Sequence, residues 1–389
     1  MKLFKSKILV LMLITSITTF AQNELIYSKI FDTNSSTTAI FNLENTAVAI
    51  EESIDDKIHF DYKIEFKNYS KKEIKSFLDN IKVEATMFEN NITLDAKSAT
   101  KVSQTSYAFD TPFGLTLESD FFKTDSMTQK SMRKSKDSII KLINDESLSK
   151  VILKSVKFLD NDNNEKPIDF DKVKMYKSQF VIKLPNSVSL KINAKESQIT
   201  FRNDMTNELS IDLNKGLFKA KKLINNYNKI KIVKASFKSE KIVGGNYDFI
   251  NVSNGLIGSI KNIKINSELS KLEIGEIEKN ITITDFNSEY WFYNWSTDFG
   301  RFNLYSEYSK IHYFYPESDY SLKVVGNNTV NYLGETKITM QPTKNGKKFK
   351  MMERKPRKEG VFAGAINFDI VHGVIYSYDD PIILINKDN

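Results

Sequence analysis

The sequence predicts a mainly β chain: a parallel β-helix or solenoid with repeats of roughly 20 residues, preceded by a mixed α+β N-terminal region. Two observations carry this. An apolar-x-apolar pair at Leu190-x-Ile192 recurs at Ile211-x-Leu213, Ile230-x-Ile232, Ile250-x-Val252, Ile263-x-Ile265, Ile281-x-Ile283, Phe302-x-Leu304 and Leu322-x-Val324, at steps of 21, 19, 20, 13, 18, 21 and 20 residues. The text between the pairs repeats as well: Ser267-Glu268-Leu269-Ser270-Lys271-Leu272 returns as Ser306-Glu307-Tyr308-Ser309-Lys310-Ile311, with Ser288-Glu289-Tyr290 read as a partial copy. Near-identical text once per full period favours a parallel coil over an antiparallel meander of two strands per period. The leucine-rich-repeat signature, which shares this period, is missing.

In chain order, the first element is a leader. Lys2, Lys5 and Lys7 precede an apolar run from Ile8 to Ile14 and a small-residue site at Ala21, the pattern of a secretory signal peptide over residues 1–21. The run is too short to span a bilayer, and the later sequence offers no long uncharged apolar stretch. The expected location is the periplasm, the outer-membrane surface or the extracellular space. With no cysteine, the exported chain must be held by its core alone. Removing the leader lowers the formal charge from +7 to +4, which argues against a dedicated nucleic-acid binder.

Residues 22–185 read as a mixed α+β domain or cap. Ala39-x-Phe41, Ala47 to Glu51 and Ile58 to Phe66 alternate as strands, and His59 falls on a polar side. Ser70 is an N-cap for a short helix through Ile81. Lys82 to Ala85 and Ile92 to Leu94 are strand-like. Met132, Ile139, Ile140, Leu142 and Ile143 mark a second helix between Ser126 and Leu148, before strands at Val151 to Phe158 and Met175 to Leu184. A cap has a physical motive, because open strand edges pair with other chains. Residues 186–389 form the solenoid, with a basic insertion at 344–358 read as a solvated loop. Ile366 to Ile370 and Gly373 to Tyr376 read as a closing turn.

Asn262-Ile263-Lys264-Ile265-Asn266-Ser267-Glu268-Leu269-Ser270-Lys271-Leu272-Glu273-Ile274-Gly275, with its relatives at Ile281 and Phe302, resembles the repeats of the exported putative adhesins of Bacteroidetes-type bacteria. Lys358-Glu359-Gly360-Val361-Phe362, leading into Ile366-Asn367-Phe368-Asp369-Ile370, is similar to the closing repeats of that group. The resemblance covers the C-terminal half of the chain. It implies a β-solenoid in an envelope or cell-surface setting and offers no catalytic residue to carry over.

Chemistry is sparse. His59, His312 and His372 are too far apart for a local metal motif, no Gly-x-Ser-x-Gly elbow is present, and no cofactor motif is found. Asp160-Asn161-Asp162 and Asp379-Asp380 read as solvated loops. Glu289 to Trp295 holds both tryptophans. Trp291, Tyr293 and Trp295 share one face of a strand and are the candidate glycan contact, with Phe292 packing inward. Lys347, Lys348, Arg354 and Arg357 are the candidate anion contact. The expected function is a noncatalytic, adhesin-like envelope scaffold whose partner is a surface glycan or another protein. The alternative is a polysaccharide-processing enzyme on the same coil.

Overall fold

The computed structural model describes residues 22–98, 105–108, 115–117, 133–144, 156–159, 165–167, 174–334, 336–341, 349–356 and 361–378. The leader lies outside these residues, as do the two acidic pairs and both ends of the basic insertion. The chain is mainly β, as the sequence predicts. One 25-stranded sheet takes in almost every strand, beside a small three-stranded sheet of Leu115–Leu117, Val156–Leu159 and Glu165–Pro167. The large sheet wraps nearly closed around one interior. Among the described residues, no helix is long and apolar enough to cross a membrane.

From Ser189 onward, successive strands pair in parallel with their counterparts one rung along. Ile192 faces Ile211, Ile211 faces Ile230, Ile230 faces Tyr247, and Tyr247 faces Ile265. Ile265 then faces Ile283, and Ile283 faces Leu304. All seven side chains are buried, so each rung covers the apolar surface of the next. Leu213 and Ile232 are buried as well, in the alternating column two residues along, where Leu213 faces Ala194 and Ile232. A two-residue offset keeps a side chain on the same face.

The repeated text between the pairs builds corners. Each corner holds a residue at positive φ, including Asn45, Asn251, Leu269, Asn287, Tyr308 and Asn328, with φ between 50° and 59°. Asn tolerates this left-handed conformation better than most residues. The next residue is often a buried Ser. Ser270 Oγ accepts the Val252 N–H, Ser288 Oγ the Ser270 N–H, and Ser309 Oγ the Ser288 N–H, each at 3.0 Å. The Ser270 and Ser288 hydroxyls also donate to a carbonyl two residues back, at 2.8 and 3.4 Å. This ladder corrects the alignment of the partial copy: Ser288 is the counterpart of Ser270 and Ser309, whereas Asp285 stands opposite Ser267 and Ser306.

Chain order and spatial order differ at both ends. Leu190 has Ala39 as its neighbour, and Ala39 in turn faces Ile92, so the N-terminal strands continue the same sheet. The outermost N-terminal rung, Asn91–Ser98 and Lys174–Leu184, is closed by the antiparallel strands Ile81–Phe88 and Lys57–Lys67. At the other end, Phe362–Val371 pairs with Gly300–Glu307 on one side and Asp319–Asn327 on the other. The expected closing turn is therefore inserted between two earlier ones, where Ile366 and Phe368 fill the apolar columns. The outermost rung is instead sealed by antiparallel Phe349–Lys355 and Thr336–Met340. That placement corrects the loop reading of the basic run, whose described part is an edge strand. Antiparallel strands at both ends cover the rungs that would otherwise extend the parallel stack.

Both helices form. In α1 (Lys71–Leu78), Ser70 and Glu73 make a reciprocal capping box. The second, α2 (Lys136–Asn144), buries Ile139 and Ile143. It lies across the outside of the sheet, against Leu256, Tyr293 and Phe314.

Candidate functional site

Outward residues at one register position form ladders along the stack. On the first strand of each rung the ladder is polar. Asn42 donates to Asp95 at 2.8 Å, Asn193 to Asn42 at 2.9 Å, and Asn266 to Asp248 at 2.7 Å. Lys231 pairs with Asp212 at 3.8 Å. Two adjoining open grooves of about 470 and 560 Å³ run over this face and share Asn193 and Asp212. In-register amide ladders satisfy each other along a stack in the manner of cross-β assemblies.

On the second strand the ladder becomes aromatic. Trp291, His312, Tyr376 and Tyr332 occupy one register position on consecutive rungs. Their ring centroids are 3.8, 4.7 and 5.1 Å apart and their planes lie within 8° of parallel. The ring faces between successive members are thus covered, and the edges point outward. Trp291 Nε1 donates to Glu289 at 2.9 Å, and His312 Nδ1 lies 2.9 Å from the Tyr378 hydroxyl. Burial pushes the His312 imidazole down to about 4, against the raising influence of Glu289, so it is neutral at physiological pH.

The α2 strap closes one flank of this face. Arg133 Nε donates to the Tyr293 carbonyl at 3.0 Å and to Asn294 Oδ1 at 2.9 Å. Lys134 reaches Glu273 at 2.6 Å and Lys136 reaches Glu276 at 2.8 Å. Gly275 makes the close approach possible, because a Cβ there would stand 3.1 Å from Lys136 Cα and 2.5 Å from the Gly258 carbonyl oxygen. Burial first, then Glu273, raises the Tyr293 phenol far above its usual range.

The sequence-predicted site residues separate. Phe292 packs inward as expected. Trp291 is half-buried in the ring ladder, Tyr293 is buried beneath α2, and Trp295 lies in the core against Phe299 and Phe302, its indole N–H donating to the Phe314 carbonyl at 2.7 Å. An open three-ring platform is therefore not formed. Period-two alternation holds through Tyr293, which shares the outer face with Trp291, and fails after it, where Trp295 turns into the core. Of the anion candidates, Arg354 pairs with Asp319 at 2.8 Å, while Lys347, Lys348 and Arg357 lie outside the described residues.

His312, Tyr376 and Tyr332 are additions that sequence reasoning missed. Their signal was present, an aromatic at one position on each rung, but it could be read only once the inserted rung was known. Among the described residues no group of three His, Asp or Glu side chains could hold a metal ion.

No family model matches the chain, and no curated protein matches it. Two solved structures align with it. A "putative cell adhesion protein" from Clostridium sporogenes is 9% identical, covering 92% of this chain and 100% of its own, with a TM-score of 0.20. A "putative adhesin" from Bacteroides fragilis is 8% identical, covering 93% of this chain and 100% of its own, with a TM-score of 0.23.

Proposed function

We propose that the chain is an exported, noncatalytic, adhesin-like scaffold of the bacterial envelope or cell surface. Its body is a β-solenoid with repeats of roughly 20 residues, and the N-terminal region serves as its cap. The observation that carries this reading is the unbroken parallel register from Phe41 through Ile192 to Leu304, with both outermost rungs covered by antiparallel strands. Such a stack is stiff and resists end-to-end growth, leaving its long sides as the surfaces for contact. The outward amides and carboxylates bond to one another in ladders, which suits a presenting surface better than a reaction centre. The test is to incubate the full mature chain with isolated bacterial envelopes and with their purified polysaccharide. Retention without release of new reducing ends is expected; release of reducing ends, or no retention at all, overturns the proposal.

A further inference from the structure

One edge of the stack departs from the rest. Where other corners hold Asn251, Asn287 and Asn328, two copies of the repeated text, with the Asn287 corner between them, carry Leu269 and Tyr308, at φ 51° and 59°. Bulky side chains rarely occupy this region, and such strain gathers where a side chain has a task beyond the fold. Both side chains point to solvent. Leu269, Phe286, Tyr305 and Tyr308 are 47%, 45%, 49% and 53% exposed, whereas most rings among the described residues are buried.

Three of the corner rings are organised. Phe286 meets Tyr308 edge to face at 5.8 Å, and Tyr308 stacks on His372 at 5.0 Å with planes 13° apart. Glu268 and Glu307 flank Phe286 on the rungs to either side. Among the described residues no ion pair engages either carboxylate, and no hydrogen bond engages the Tyr305 or Tyr308 hydroxyl. With one Tyr308 face stacked on His372, the half-exposed Phe286, Tyr305 and Tyr308 rings and the carboxylates beside them present apolar surface together with hydrogen-bonding groups for hydroxyls.

We propose that Phe286, Tyr305 and Tyr308, with Glu268 and Glu307, form a carbohydrate-binding site on this corner for a neutral or amino-sugar polysaccharide. Ring faces receive the apolar C–H face of a sugar, and the carboxylates accept its hydroxyl or ammonium protons. The same two carboxylates repel an acidic polysaccharide. This site is separate from the Trp291 ladder, whose ring faces are already covered. It rests on the scaffold reading and gives it a ligand class.

The experiment is affinity chromatography of the full mature chain on glucan, mannan, chitin and polygalacturonate, with phenyl resin as a control for general stickiness. Wild type is expected to be retained by at least one of the first three and not by polygalacturonate. Tyr308→Asn installs the residue used at neighbouring corners, so it should melt no lower than wild type while losing retention by about tenfold or more. Tyr305→Ala reads the same site without touching the corner backbone and should lose retention similarly. The proposal is overturned if none of the three neutral or amino polysaccharides retains wild type, if polygalacturonate or phenyl resin retains it better, or if both variants bind as wild type does. Should wild type hold to envelopes while both variants hold equally well, the scaffold reading survives and this site does not.

Discussion

Ser306 donates its hydroxyl to the Asp285 carboxylate at 2.9 Å inside the sheet, where the equivalent position one rung earlier is Ser267. Ser267 donates to the other carboxylate oxygen at 2.6 Å, and Ser309 donates beside Ser306. A buried carboxylate is expensive unless it is hydrogen-bonded, and here three hydroxyls from neighbouring rungs compensate it. Asp285→Ala leaves those hydroxyls without their acceptor and should destabilise by about 1–3 kcal/mol. Asp285→Ser restores a column of serines and should lose markedly less. Urea unfolding of the two variants checks this, and equal losses would mean that the carboxylate has no particular role.

The α2 strap is held mainly by Ile139 and Ile143 seated against Leu256, Tyr293 and Phe314. Replacing both isoleucines by alanine should cost about 2–5 kcal/mol at each site if the strap and the sheet unfold as one unit. The strap lies outside the closed stack, so it is expected to open locally first. Hydrogen exchange should therefore rise in 136–144 of the double variant while amides in Ile281–Phe286 stay protected. Equal acceleration in both segments would show that the helix is integral to the sheet's stability.

Much of the strand pattern was legible because burial imposes period two on the strands. Ile265, Ile283 and Leu304 fall in register as their spacing implies. The end rungs were not legible: Phe368 stands between Leu304 and Val324, although Val324 is far nearer to Leu304 in sequence. Nothing local distinguishes a rung that follows from one that is inserted, because both present the same apolar pair. The aromatic run misled for a related reason. Trp295 carries both a large apolar surface and a donor, and the nearby Phe314 carbonyl satisfies that donor inside the core. Tyr293 is covered by a helix from a distant part of the chain.

His312 supplies a pH dependence. Its folded value of about 4 lies below the usual histidine value of 6.5, chiefly because burial disfavours the charged ring, with Lys310 and Lys271 adding to the effect and Glu289 opposing it. A lowered value on a base means that the unfolded chain binds the proton first. The contribution is therefore fully present above pH 6.5 and is lost as pH falls towards 4, by roughly 2–4 kcal/mol in all. His312→Phe keeps a ring in the stack without a titrating group. Its unfolding free energy should fall less steeply than that of wild type between pH 6.5 and 4.5, and parallel curves would remove His312 as the cause.

The strongest test of the stacked interior is Ile265. It lies in the middle of a column, between Tyr247 and Ile283, and is 1% exposed. Ile265→Val removes one methylene group and should cost about 0.5–1.5 kcal/mol. Ile265→Asp instead places an unpaired carboxylate against apolar side chains on two neighbouring rungs, with no serine cluster of the kind that serves Asp285. Several kcal/mol are expected, on the order of 3–5. Because each rung covers the next, the loss should spread along the stack, reducing exchange protection in Asn246–Ile250 and Ile281–Phe286 before the outer rungs. An Ile265→Asp variant that melts with wild type would mean that this position is not sealed from water, and that the rungs do not bury one another as their register requires.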